Sequence, residues 1–201
     1  MRKLTTKRAL VLFVTLALAA VLAGGVVAAQ RGTEAPDTDA LQGAIRDEPM
    51  IKVAEIAASA ESPGRGVFVQ VTSTGHVCIW DAPSASSQQR QGGCNPADDP
   101  LGGSAVSASL AYDGGPAIEE VRDARLIGLA SRDAASVAVL MTDGTERQLR
   151  LNEASVDSEA YLAFGYRFKK SDLRRGVGPT AVVARDASGA EIARQATGIG
   201  S

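Results

Sequence analysis

Three stretches of this chain alternate apolar and polar residues on both sides of a glycine-bearing turn, and this pattern constrains the fold more than any other feature. GVFVQVTSTGHVCIWD sets Val67, Val69 and Val71 at one parity, turns at Gly75, and returns from His76 through Val77, Cys78, Ile79 and Trp80. Successive strand residues point to opposite faces, so a shared parity means a shared face. SVAVLMTDGTERQLRLNEA repeats the pattern around Asp143-Gly144, with Gln148-Leu149-Arg150-Leu151 alternating on the return, and TAVVARDASGAEIARQ repeats it around Asp186–Gly189. Glycine adopts the positive φ of a tight hairpin turn without steric cost. Shorter candidates at Ala105–Leu110, Arg125–Leu129 and Ala160–Phe164 bring the expectation to seven or eight strands. No long amphipathic helix separates them, which argues against a parallel α/β sheet. The expected fold is all-β: an antiparallel β-sandwich, an Ig-like arrangement included, or a small barrel.

A transmembrane or signal helix is expected ahead of that domain. Ala9 to Ala29 reads ALVLFVTLALAAVLAGGVVAA, 21 residues without a charge, behind the basic flank RKLTTKR. About 20 apolar residues in a helix span a bilayer core of roughly 30 Å. The flanking cations stay on the cytoplasmic side, which sends the rest of the chain outward. Two readings stay open. An uncleaved anchor fits the length of the run, which exceeds that of an ordinary signal-peptide core. Cleavage near Ala29 fits the small residues Val27-Ala28-Ala29 and would release a secreted protein.

The chain then divides into a cytoplasmic basic flank (1–8), the transmembrane helix or signal peptide (9–29), a linker with short helices (30–65) and an extracytoplasmic β-rich domain (66–201). Pro49 should end any first helix in the linker, while a strand around Met50–Val53 competes with a second one. The whole chain carries a formal charge of −2. The four cations before residue 30 are 4 of 21 Lys+Arg; the remaining 17 against 23 acidic residues leave the exported part near −6. That balance lacks the basic footprint nucleic acid requires. Aromatic residues make up only 4% of the chain, so the core must rest on Val, Leu, Ile and Ala.

Cys78 and Cys94 are the only two cysteines. An exported chain meets an oxidising compartment, so a disulfide between them is expected. Closing that 17-residue loop is worth about 3 kcal/mol on a chain-entropy argument.

The residues offer no catalytic or metal constellation. His76 is the only histidine, no GxSxG elbow is present, and His76 reads as a surface strand residue. Asp98-Asp99 and Glu119-Glu120 read as solvated turns, since adjacency alone does not make a carboxylate pair. Gly92-Gly93, Gly102-Gly103 and Gly114-Gly115 lack the context of a phosphate loop and read as turns. Trp80 reads as a core residue. No cofactor is expected.

One segment suggests binding. YRFKKSDLRR gathers Arg167, Lys169, Lys170, Arg174 and Arg175 beside Tyr166 and Phe168 in an otherwise acidic exported part. Cations beside aromatic anchors suit an anionic envelope polymer or a protein partner. A solvated strand and loop explains the same residues without a ligand.

The order of hydrophobic leader, CIW strand, Gly-rich loop with a second Cys, then VAVLMTDGTERQLRL and VVARDASGAEIAR resembles uncharacterised secreted or membrane-anchored proteins of high-GC Gram-positive bacteria. The resemblance covers residues 66–195, with Gly128–Val139 leading into one hairpin and Ala181–Ala193 forming the last. It implies fold and location, not an activity. The expectation is therefore a non-enzymatic extracytoplasmic β domain at the cell membrane that binds a protein or envelope component. An envelope hydrolase with a non-motif site, or a structural or regulatory ectodomain of a membrane assembly, are the alternatives.

Overall fold

The computed structural model describes residues 38–199. The apolar stretch 9–29 lies outside the described residues; among those described, no helix is long and apolar enough to cross a membrane. The chain runs α1 (Thr38–Asp47), β1 (Ile51–Ile56), β2 (Arg65–Thr72), β3 (His76–Ala82), β4 (Gln91–Pro96), β5 (Val106–Gly114) and a 3-10 turn (Ile118–Glu120). It continues through β6 (Val121–Ser131), β7 (Ser136–Met141), β8 (Glu146–Gln148), β9 (Leu151–Val156), β10 (Glu159–Arg167), α2 (Lys170–Leu173), β11 (Pro179–Arg185) and β12 (Glu191–Ala196). These strands form three four-stranded sheets: I (β1-β2-β3-β4), II (β5-β6-β10-β9) and III (β12-β11-β7-β8). Every pairing is antiparallel. The all-β expectation holds, with twelve strands among the described residues instead of seven or eight.

The three glycine hairpins share one turn. Gly75, Gly144 and Gly189 each donate N–H to the carbonyl three residues back, at 2.9, 3.0 and 3.0 Å, and each sits at positive φ. This is the three-residue connection that ends on a left-handed residue, where only glycine is free of Cβ strain. Within the segment read as a linker, α1 ends before Pro49 and Ile51–Ile56 is a strand paired with β2. The return run Gln148–Leu151 is not one strand. β8 stops at Gln148 in sheet III and β9 starts at Leu151 in sheet II. Leu149 fills the core between them, so the alternation served two sheets and the chain crosses at Arg150.

Sheet II is buried on both faces. Leu126, Ala130 and Phe164 pack with Val137, Val139 and Val182 of sheet III. Ile127, Leu129 and Ala163, at the other parity, pack with Val67, Val69 and Ile79 of sheet I. A strand covered on both faces reads as a continuous apolar run, which is why RLIGLAS in β6 shows no alternation. The opposite face of sheet I carries Phe68, Cys78 and Trp80, against which Met50 and Ile45 pack.

Candidate functional site

The interface between sheets I and II changes from apolar to ionic at one end. Asp81 follows Val77 and Ile79 at the inward parity of β3, and Arg125 precedes Ile127 and Leu129 at the inward parity of β6. Both are buried, at 0% and 2% exposure. Arg125 Nε donates to Asp81 Oδ2 at 2.6 Å, and Arg65 Nε donates to Asp81 Oδ1 at 2.6 Å. Arg125 Nη1 also donates to Asp123 and, at 3.1 Å, to Asp113. Burial works against the Arg125 charge, yet Asp81 above all, with Asp123 and Asp113, holds its pKa above the ordinary guanidinium value. A buried charge is tolerated only when paired and hydrogen-bonded, and here cations and anions alternate.

Arg167, at the end of β10, extends this chain. Its Nε lies 3.1 Å from Asp123 Oδ1, an ion pair whose geometry is not that of a hydrogen bond. Its Nη1 donates to the carbonyls of Ala57 and Ser62 at 2.8 and 3.2 Å, and Nη2 to that of Pro63 at 2.9 Å. Arg167 thus pins the 57–63 loop against β10. Lys170 reinforces the pin through Glu61, whose pKa it lowers by hydrogen bond and charge.

The pinned loop forms one wall of a trough of about 590 Å³. Tyr166, Arg167, Phe168, Lys169 and Lys170 from the basic segment line it, opposite Ala57–Ser62, with Arg122 and Arg150 at its sides. A second hollow of about 400 Å³ shares Glu55, Arg150 and Gly165 with the trough and runs beside β1. Tyr166 and Phe168 meet edge to face at 5.1 Å. Phe168 is buried, and burial is the main cause that raises the Tyr166 pKa.

The seven residues singled out from the sequence therefore have different positions. Arg167 and Lys170 hold the loop. Arg175, just past α2, donates from Nη2 to buried Asp172 Oδ1 at 2.6 Å. Lys169 and Arg174 are exposed and make no ion pair among the described residues. The structure adds Arg122 and Arg150, both exposed and likewise without an ion pair among the described residues. Each acid along the trough is already engaged: Glu55 by Lys52, Glu61 by Lys170, and Asp123 by Arg125 and Arg167. What remains over is positive, which favours a carboxylate or phosphate in a groove with an apolar floor. Arg122 and Arg150 lie outside the dense basic run 167–175, each three residues from another arginine, so only the fold brings them to the trough. The charged Arg125 at the parity of Ile127 and Leu129 was a legible sign of a buried partner.

The other singled-out residues have structural settings. Cys78 and Cys94 face each other across β3 and β4 and are disulfide-bonded. His76 opens β3, with Nδ1 3.1 Å from the Thr74 carbonyl of its own turn. Trp80 lies in the core with Arg90 stacked 5.3 Å over its ring. Asp99 Oδ1 accepts from Gly103 N at 2.8 Å in a turn. Gly92 and Gly93 are not a turn, as expected from the sequence, but lie in β4 opposite Trp80 and Ile79. A Cβ on Gly92 would sit 1.8 Å from the Ile79 carbonyl oxygen, so a close backbone approach requires glycine there. Among the described residues, no group of three or more His, Cys, Asp or Glu could hold a metal ion. No family model matches the chain, and no curated protein or solved structure matches it either.

Proposed function

We propose that this chain is a non-enzymatic extracytoplasmic module, tethered by or released from its N-terminal apolar segment, that binds an anionic envelope component or protein partner in the trough beside β1 and β10. The observation that carries the reading is the charge imbalance at the trough. Its acids are each paired with a lysine or arginine, while Arg122, Arg150 and Lys169 remain exposed in a domain that is acidic as a whole. The resemblance to uncharacterised secreted or membrane-anchored proteins of high-GC Gram-positive bacteria supports the location. Packing of sheet II between sheets I and III supports a layered sandwich over a barrel.

The basic segment contributes less than its sequence suggests, because Arg167 and Lys170 are committed to the 57–63 loop. Charge reversal at Arg122, Arg150 and Lys169 together leaves that loop pinned and inverts the trough. The full chain carrying R122E/R150E/K169E should lose at least about tenfold in co-sedimentation with the envelope fraction of the source cells, and the wild-type binding should weaken with salt. Undiminished binding of the triple variant would exclude the trough.

A further inference from the structure

The trough ends at an open sheet edge. β1 is hydrogen-bonded to β2 on one side only and closes sheet I at that end. Beyond it, β1 contacts β10 and β9 of the sheet beneath, and the hollow at that place has Lys52–Glu55 of the strand itself as one wall and Arg150, Asn152 and Gly165 as the other. An unpaired edge presents a row of backbone N–H and C=O groups that another extended chain can satisfy. Chains usually guard such an edge, and β1 does so only through a register shift between Lys52 and Ala54 and the exposed Lys52–Glu55 pair.

Side chains give the edge a direction. At its start, Ile51 is 65% exposed, and Val71, two residues along β2 from Ile51's partner Val69, is 40% exposed. They are two of the three large hydrophobic residues exposed among those described. Arg150 faces Lys52–Glu55 across the hollow, and Arg122 and Lys169 line the trough with Ala57–Ser62 beyond Ile56. We infer that β1 accepts an added strand: an extended acidic peptide segment of a partner protein, with an apolar side chain against Ile51 and Val71 and carboxylates toward the three cations. Backbone pairing selects a peptide over a polysaccharide or lipid headgroup, which share the charge but lack amides at strand spacing. The inference rests on the proposed trough and adds the class of its occupant.

The test uses the full chain in detergent and a labelled, end-blocked peptide alternating valine and glutamate over six residues. Two more versions carry N-methyl groups on one or the other alternate set of amides, and a fourth has lysine for glutamate. A strand pairs through one edge only. The parent peptide should bind, one N-methylated version should lose at least about tenfold, the other should match the parent, and the lysine peptide should not bind. R150E should weaken the parent about tenfold. Equal binding of both N-methylated versions, or no binding of the parent, would overturn strand addition. If the triple variant still loses envelope binding in that case, the trough stands with a different ligand. If it does not, the trough reading falls as well.

Discussion

Trp80 Nε1 donates to Gln70 Oε1 at 3.0 Å, and the amide nitrogen of the same Gln70 donates to the carbonyls of Ile45 and Glu48 at 3.1 and 2.7 Å. Gln70 is buried. A helix leaves its last carbonyls without partners, and one side chain on β2 satisfies that of Ile45 in the last turn of α1 and that of Glu48 just past it, while also satisfying the indole. Arg90 adds a second tie by donating to the Ile45 carbonyl at 2.5 Å from above the Trp80 ring.

Q70A should therefore loosen α1 and destabilise the domain by about 1–3 kcal/mol, since it leaves buried polar groups unpaired. Trp80 is the only tryptophan, so its emission reports directly and should shift to the red. Q70E should be no rescue, because a carboxylate would face the negative end of α1. An unchanged spectrum and an unchanged urea midpoint in Q70A would remove the latch.

The Asp81–Arg125 pair should be costly to break and cheap to replace. R125A leaves buried Asp81 with Arg65 alone and Asp123 with Arg167 alone at the interface between sheets I and II, a loss that should approach the cost of breaking a buried pair, about 3–5 kcal/mol. Replacing both partners by apolar residues, D81L/R125M, should cost far less, with Arg65 free to turn toward solvent. Urea denaturation of the two variants measures the difference, and equal losses would argue against a buried pair.

The β9–β10 hairpin turns on two residues, Asp157 and Ser158, with φ of 48° and 68°. Two positive φ values in a two-residue loop define a type I′ turn, in which non-glycine residues carry strain. S158G should stabilise the domain by roughly 1 kcal/mol. That corresponds to about 2–4 °C in Tm for a domain of this size. A lower Tm would show that the Ser158 side chain contributes more than its backbone costs.

Tyr161 should titrate late. Burial, then its hydrogen bond to Glu159 Oε2 at 2.7 Å, pushes its pKa up to about 12. A raised folded-state value means that the stabilisation is complete below the ordinary tyrosine pKa of about 10. It is then lost as pH rises toward about 12. Ultraviolet titration of the three tyrosines should lose one late-titrating group in Y161F, while Tyr166, whose pKa burial also raises, keeps its own, and Y161F should flatten the fall in stability over that window. A late step of undiminished amplitude in Y161F would reassign it.

Local chemistry was legible in the sequence. Gly75, Gly144 and Gly189 marked three hairpins because a positive φ is a property of the residue itself, and Pro49 marked the end of α1 for the same kind of reason. The Asp157-Ser158 turn was missed because it lacks that signal, and the covered faces of β6 hid its alternation.

Residue order alone determined that this chain forms antiparallel hairpins and that its two cysteines had only each other to bond with. The assignment of each hairpin to its sheet, the ionic chain from Arg65 to Arg167 and the choice of which cations stay unpaired were decided by the folded chain. Turn geometry is set within four residues, whereas a charge is free or spent according to every acid that packing brings within reach. That is why Lys169 and Arg167, two positions apart, have opposite roles.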